Sequence, residues 1–187
     1  MVSLWLVRHA QPLVAPGTCY GRLDVPADTH ATLTAARALA EALPAGLPIL
    51  SSPLQRCTQL AEALCPLQQA AMFSTDTRLT EMDFGTWEGQ PWEQIGPAAL
   101  DIWAQDFSHH APGDGETVDG FVSRVAAALD ATRSQGQDTI WITHAGVMRA
   151  VKVLQTLGRI SPLRSDQWPQ DPLPFGGWQR WELKPSA

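Results

Sequence analysis

No stretch of this chain is long and apolar enough to span a membrane. No terminal segment has the basic-then-apolar form of a secretory signal either, because the first apolar run stops at Arg8-His9. A membrane partner is therefore not expected, and a cytoplasmic location is. Positive charge is also short: 13 Lys and Arg against 19 Asp and Glu leave a net charge of −6. No long-range field draws in nucleic acid, so any anion must be held by local cations. Cysteine is scarce, and Cys19, Cys57 and Cys65 have neither metal-ligand spacing nor an even count. That pattern predicts buried thiols in a reducing compartment, with no disulfide and no zinc. The adjacent His109-His110 lacks the i, i+4 spacing of a helical metal site. No repeat, low-complexity tract or domain boundary interrupts the 187 residues, a length that fits one domain, 1–187, with a full core.

What is present starts with Leu4-Trp5-Leu6-Val7, an unbroken apolar run that reads as a strand buried on both faces. It ends at Arg8-His9, and the carboxyl end of such a strand is where open α/β sheets bind ligands. The same event recurs when Thr139-Ile140-Trp141-Ile142-Thr143 runs into His144-Ala145-Gly146 and an apolar-periodic helix. Between them, residues 11–31 form a long Pro/Gly-rich loop carrying Tyr20, Arg22 and Asp24. Arg22 is open to two readings, a second anion contact or a surface pair with Asp24. Thr34 is expected to cap a helix, and Pro48 to Ser51 to form a second strand. Ser52-Pro53 then reads as N-cap and first helical residue, with Leu54, Cys57, Ala61 and Leu64 as the buried stripe.

Arg56 falls in the first turn of that helix, where a cation opposes the helix dipole unless an anion also sits there. Residues 72–75 read as a further strand. After them comes an acidic loop that holds Glu81, Asp83 and Glu88. Residues 91–107 read as a helix broken at Gly96-Pro97. Thr117 opens the most regular helix, and Trp178 to Leu183 reads as an edge strand. Trp5 and Trp141, two of eight tryptophans, are expected in the core, while Trp87, Trp92 and Trp103 either pack together or face a ring-bearing substrate. Alternating strands and helices predict an α/β fold, a three-layer α/β/α sandwich with a mainly parallel central sheet. Arg8, His9, Arg56 and His144 would then meet at its carboxyl edge. Two guanidinium forks and two imidazoles make a pocket for a tetrahedral dianion. A neutral imidazole among such cations is a nucleophile towards phosphorus, and the positive charge around it holds it neutral.

Leu6-Val7-Arg8-His9, Ser51-Ser52-Pro53-Leu54-Gln55-Arg56, Glu81 with Gly85-Thr86-Trp87-Glu88-Gly89, and Thr143-His144-Ala145-Gly146 resemble, in order, the motifs of the histidine phosphatase (phosphoglycerate-mutase-like) superfamily. The resemblance implies that fold, no cofactor, a small-molecule phosphomonoester as partner, and a ping-pong mechanism. His9 would become a phosphohistidine, Arg8, Arg56 and His144 would hold the phosphoryl oxygens, and Glu81 would act as acid and then base. The residues alone do not choose Glu81 over Asp83 or Glu88. Where relatives read Arg-His-Gly-Glu-Thr followed by an Asn, this chain has Arg8-His9-Ala10-Gln11-Pro12 and Ala15. Arg22 or Gln11 would have to compensate at the pocket's edge, with Tyr20 as a further substrate-binding candidate. The loops around Tyr20 and Glu81 look most like bacterial α-ribazole phosphatases, which implies α-ribazole 5′-phosphate as substrate, in cobalamin nucleotide-loop assembly. Phosphoglycerate mutase, another sugar-phosphate phosphatase, and a non-catalytic phospho-ligand binding protein are the competing expectations.

Overall fold

The computed structural model describes residues 1–69, 72–171 and 173–183. One sheet holds β1 (Val2–Arg8), β2 (Ile49–Ser51), β3 (Phe73–Thr75), β4 (Thr139–Thr143) and β5 (Trp178–Leu183), in the order β3-β2-β4-β1-β5. The first four are parallel, and β5 runs antiparallel along β1. Every residue of β4 is buried, as a central strand requires. In β5 burial alternates, which suits an edge with one wet face. The other edge, β3, is three residues long and mostly exposed, too short to template a foreign strand.

Helices α1 (Thr29–Ala42) and α2 (Gln55–Leu64) cover one face, and α4 (Val118–Gln135) and α5 (Ala145–Thr156) the other. The strand residues divide accordingly. Val7, Ile140 and Ile142 join Leu39 and Leu60 in one buried cluster, whereas Leu4, Leu6 and Trp141 join Phe121, Leu129 and Val151 in the other. This is the three-layer sandwich that the sequence predicts. The fifth helix, α3 (Trp92–Gln105), turns sharply at Gly96, whose φ is +78°, beside Pro97.

Three local expectations are corrected. Thr34 lies inside α1, because Asp28 accepts the Ala31 N–H at 2.7 Å and starts the helix earlier. Ser52-Pro53 does not open α2, whose first residue is Gln55. The Gln55 N–H is taken at 2.7 Å by Asp24, reaching in from the long loop, while the Ser52 hydroxyl lies 2.8 Å from His144 and accepts the Leu54 N–H only at 3.4 Å. Trp5 is only partly buried and packs on Trp178 with ring centroids 5.2 Å apart, while Trp141 is fully buried as expected. Thr117 does cap α4, accepting from the Gly120 N–H at 3.1 Å.

Candidate active site

Register places the two strand-end histidines side by side. Arg8 of β1 lies opposite Thr143 of β4, and the His9 N–H donates to the Thr143 carbonyl at 3.0 Å. The next residue on each strand is a histidine, and the two rings stand 5.2 Å apart. His9 is buried, and its Nδ1 lies 2.7 Å from the Ala10 carbonyl. A carbonyl only accepts, so Nδ1 carries the proton and Nε2 keeps its lone pair. Burial, then the Arg56 charge, then that of Arg8 pull the His9 pKa down to about 3, against the Ala10 hydrogen bond. The ring is an uncharged base at neutral pH. His144 is held well below its ordinary value too, first by burial and then by Arg56. Its Nε2 meets the Ser52 hydroxyl at 2.8 Å and the Cys57 sulfur at 3.5 Å. Burial pushes the Cys57 thiol up to about 12, so it stays a thiol. All three cysteines are free.

Arg56 has no exposed surface, yet among the described residues no carboxylate lies within ion-pair distance of its guanidinium. It donates to the Leu23 carbonyl at 2.8 Å and the Gly21 carbonyl at 2.6 Å, and its Nε is buried without a partner. Arg8 is held in a similar way. It donates to the Leu173 carbonyl and lies 3.9 Å over the Phe175 ring, and its Nε is also buried and unpaired. Carbonyls and an aromatic face thus hold both guanidinium groups, which leaves spare N–H groups for an anion.

The long loop is the seat of Arg56, and Glu88 fixes it. The Glu88 carboxylate accepts the N–H groups of Gly21, Arg22, Leu23 and Phe84 at 2.8 to 3.0 Å. Position 21 admits only glycine, since a Cβ there would lie 1.9 Å from the Met82 carbonyl oxygen. Asp83 accepts the Gly85 N–H at 2.8 Å and pairs with Arg22 at 3.2 Å. Of the three carboxylates left open by the sequence, Glu81 alone lines the cavity that Arg8, His9 and Arg56 share. It accepts from the Gly146 N–H at 2.9 Å and the Met82 N–H at 3.0 Å. Its backbone is carried by Arg124, which donates to the carbonyls of Arg78, Thr80 and Glu81 and pairs with Glu116 at 2.7 Å.

Arg22 pairs with Asp83 and not with Asp24, its side chain is 68% exposed, and it does not line the cavity. Gln11 is exposed as well, and its amide reaches no further than the Pro12 carbonyl at 3.5 Å. Tyr20 does line the cavity, its ring 5.5 Å from the Arg56 guanidinium. The cavity, about 470 Å³, opens from the cations onto a wall of Phe84, Trp92, Trp103, Phe107, Phe121 and Trp168. The two readings of the tryptophan group divide: Trp92 and Trp103 reach the cavity, and Trp87 packs behind them. Two arginines escaped sequence reasoning. Arg149 lines the cavity, and its spacing of three from Gly146 on an expected helix was a usable signal. Arg124 sits in a regular helix and carried no signal at all.

The profile described as histidine phosphatase superfamily (branch 1) matches residues 4–173. The chain belongs to this superfamily. Histidine phosphatase membership makes it an enzyme of the phosphatase and mutase type, on a phosphoglycerate-mutase-like fold. Among curated proteins it is 32% identical to "Putative phosphoserine phosphatase 2" of Hydrogenobacter thermophilus, over 83% of this chain and 79% of that one. A phosphoglycerate mutase from Thermus thermophilus superposes with a TM-score of 0.73 at 30% identity, covering 98% of this chain and 95% of the other. A mycobacterial glucosyl-3-phosphoglycerate phosphatase, solved with inorganic phosphate, gives 0.75 at 25% identity, covering 96% and 89%.

Proposed function

We propose that this histidine phosphatase is a phosphomonoesterase that works without a metal, through a phosphohistidine on His9. One observation carries the reading: a buried, neutral His9 with a free Nε2, whose pKa is lowered in part by Arg56 and Arg8. Nε2 attacks phosphorus in line and the bond from phosphorus to the ester oxygen breaks. Glu81 gives that oxygen its proton. Glu81 then takes a proton from water, whose oxygen displaces Nε2 and releases inorganic phosphate. Arg8, Arg56 and His144 hold the phosphoryl oxygens through both steps, which suits a transition state whose charge sits on those oxygens.

The substrate in this reading is a small phosphorylated metabolite. α-Ribazole 5′-phosphate draws support from the aromatic wall, against which a flat base would lie. The phosphoserine phosphatase and glucosyl-3-phosphoglycerate phosphatase relatives support a hydrolase acting on other small phosphoesters. The mutase neighbour supports a rival in which 3-phosphoglycerate is isomerised faster than phosphate is released. Rapid quenching with labelled substrate tests the mechanism. Base-stable, acid-labile label on the protein is expected, absent from His9→Ala, with p-nitrophenyl phosphate hydrolysis insensitive to chelator. Full activity in His9→Ala, or loss of all activity to the chelator, overturns the reading. Absence of both phosphate release and phosphoenzyme would leave a binding protein.

A further inference from the structure

We infer that Arg149 reads a second negative charge on the alcohol half of the substrate, so that the preferred substrates are phosphomonoesters whose leaving group carries a carboxylate. This rests on the phosphomonoesterase reading above, and within it favours the carboxylate-bearing esters over α-ribazole 5′-phosphate, whose alcohol half carries no carboxylate. Ala145, Gly146 and Arg149 all line the cavity, and their spacing puts them on one face of α5. Arg149 follows the His144 cap by five residues, about 7 Å along the helix axis. It shares this stretch of wall with Trp168 and Gln170, from the irregular segment before β5.

Among the described residues nothing pairs with the guanidinium. Its Nε is buried without a hydrogen-bond partner, and among the described residues no carboxylate lies within ion-pair distance of it. Arg124 is spent on Glu116 and three carbonyls and Arg133 on Asp130, whereas Arg149, like Arg8 and Arg56 of the proposed phosphoryl site, has no carboxylate partner among the described residues. A buried, unpaired donor on a charged group is costly unless a ligand completes it.

Charge balance points the same way. The charged groups on the cavity wall are Arg8, Arg56, Arg149 and Glu81, with His9 neutral. When Glu81 holds the proton it will give to the ester oxygen, the wall carries three positive charges. A phosphoryl dianion cancels two. One remains, and Arg149, the arginine of α5, can take it, since a planar carboxylate matches its fork.

Two matched pairs of compounds test this: O-phosphoserine against O-phosphoethanolamine, and 3-phosphoglycerate against glycerol 3-phosphate. Members of each pair differ at the carboxylate. The wild-type enzyme should favour the acid in each pair by tenfold or more in kcat/KM. Arg149→Gln should bring both ratios near one, and Arg149→Lys should restore part of them. Calorimetric binding of the same pairs to His9→Ala protein reads the ratio without turnover, so it stands even if no phosphohistidine forms. Wild-type ratios near one overturn the inference whatever the variants do. An equal loss on acid and carboxylate-free esters also overturns it, since Arg149 would then be holding the phosphoryl group itself. Failure of the parent reading looks different, as absence of both phosphate release and phosphoenzyme.

Discussion

Adding one methyl group at Gly146 should disable Glu81 while leaving the fold intact. A Cβ built at this position lies 2.1 Å from Glu81 Oε1 and 2.9 Å from its Cδ. Relief to an ordinary contact of about 3.4 Å needs the carboxylate to retreat by more than 1 Å, and the Gly146 N–H to Oε2 bond of 2.9 Å goes with it. The displaced group is the end of a flexible side chain, so the backbone need not move. Gly146 is the second residue of α5 and has no left-handed φ, so alanine there favours the helix by about 0.5–1 kcal/mol. Gly146→Ala is therefore expected to melt within a few degrees of wild type. Its kcat on an alkyl phosphate should fall about 100-fold, the scale of a general acid misplaced by an ångström. p-Nitrophenyl phosphate, whose leaving oxygen needs little protonation, should lose far less. Thermal melts together with steady-state rates on the two esters decide it. A properly folded variant with equal losses on both esters, or none on the alkyl ester, would refute the acid role of Glu81 and the contact from which it is inferred.

Acid should destabilise the protein before its carboxylates titrate. His9 has a folded pKa of about 3 against an ordinary 6.5, and His144 is also lowered, so unfolding takes up protons in that interval. Stability is full above pH 6.5 and falls as pH drops toward 3, and His9→Asn should flatten the decline in Tm between pH 6.5 and 5. Glu88→Ala removes the acceptor for four backbone N–H groups and unseats the Arg56 loop. A stability loss of about 2–4 kcal/mol in urea melts and a raised KM are expected, and a change confined to kcat would refute it. Arg124→Met strips three carbonyls of the Glu81 segment, so alkyl-phosphate kcat should fall with KM little changed; a KM effect alone would count against it.

The strands that end in chemistry were legible because each is a continuous apolar run cut short by Arg8-His9 or His144, and burial on two faces leaves few other places for such a run. Arg56 was legible because a cation in the first turn of a helix is electrostatically out of place without an anion. What failed to show in sequence is where long-range polar contacts override local propensity. Asp24 crosses from the long loop to cap α2, while Ser52 meets His144. Nothing in a local window distinguishes that arrangement from a Ser-Pro cap. The same holds for the acidic loop: Glu81, Asp83 and Glu88 are equivalent by type, and only the N–H groups converging on Glu88 and the cation beside Asp83 set Glu81 apart. Arg22 misled for a related reason, since an exposed arginine pairs with whichever carboxylate the fold brings near.

The way Arg56 and Arg8 are anchored bears on how the enzyme is restrained after turnover. Carbonyl oxygens orient the two guanidinium groups without neutralising them. The pocket therefore offers the same uncompensated positive charge to free orthophosphate as to the phosphoryl group of an ester. Under the proposed hydrolysis, orthophosphate is expected to compete with the ester for those cations, so added phosphate should raise the apparent KM.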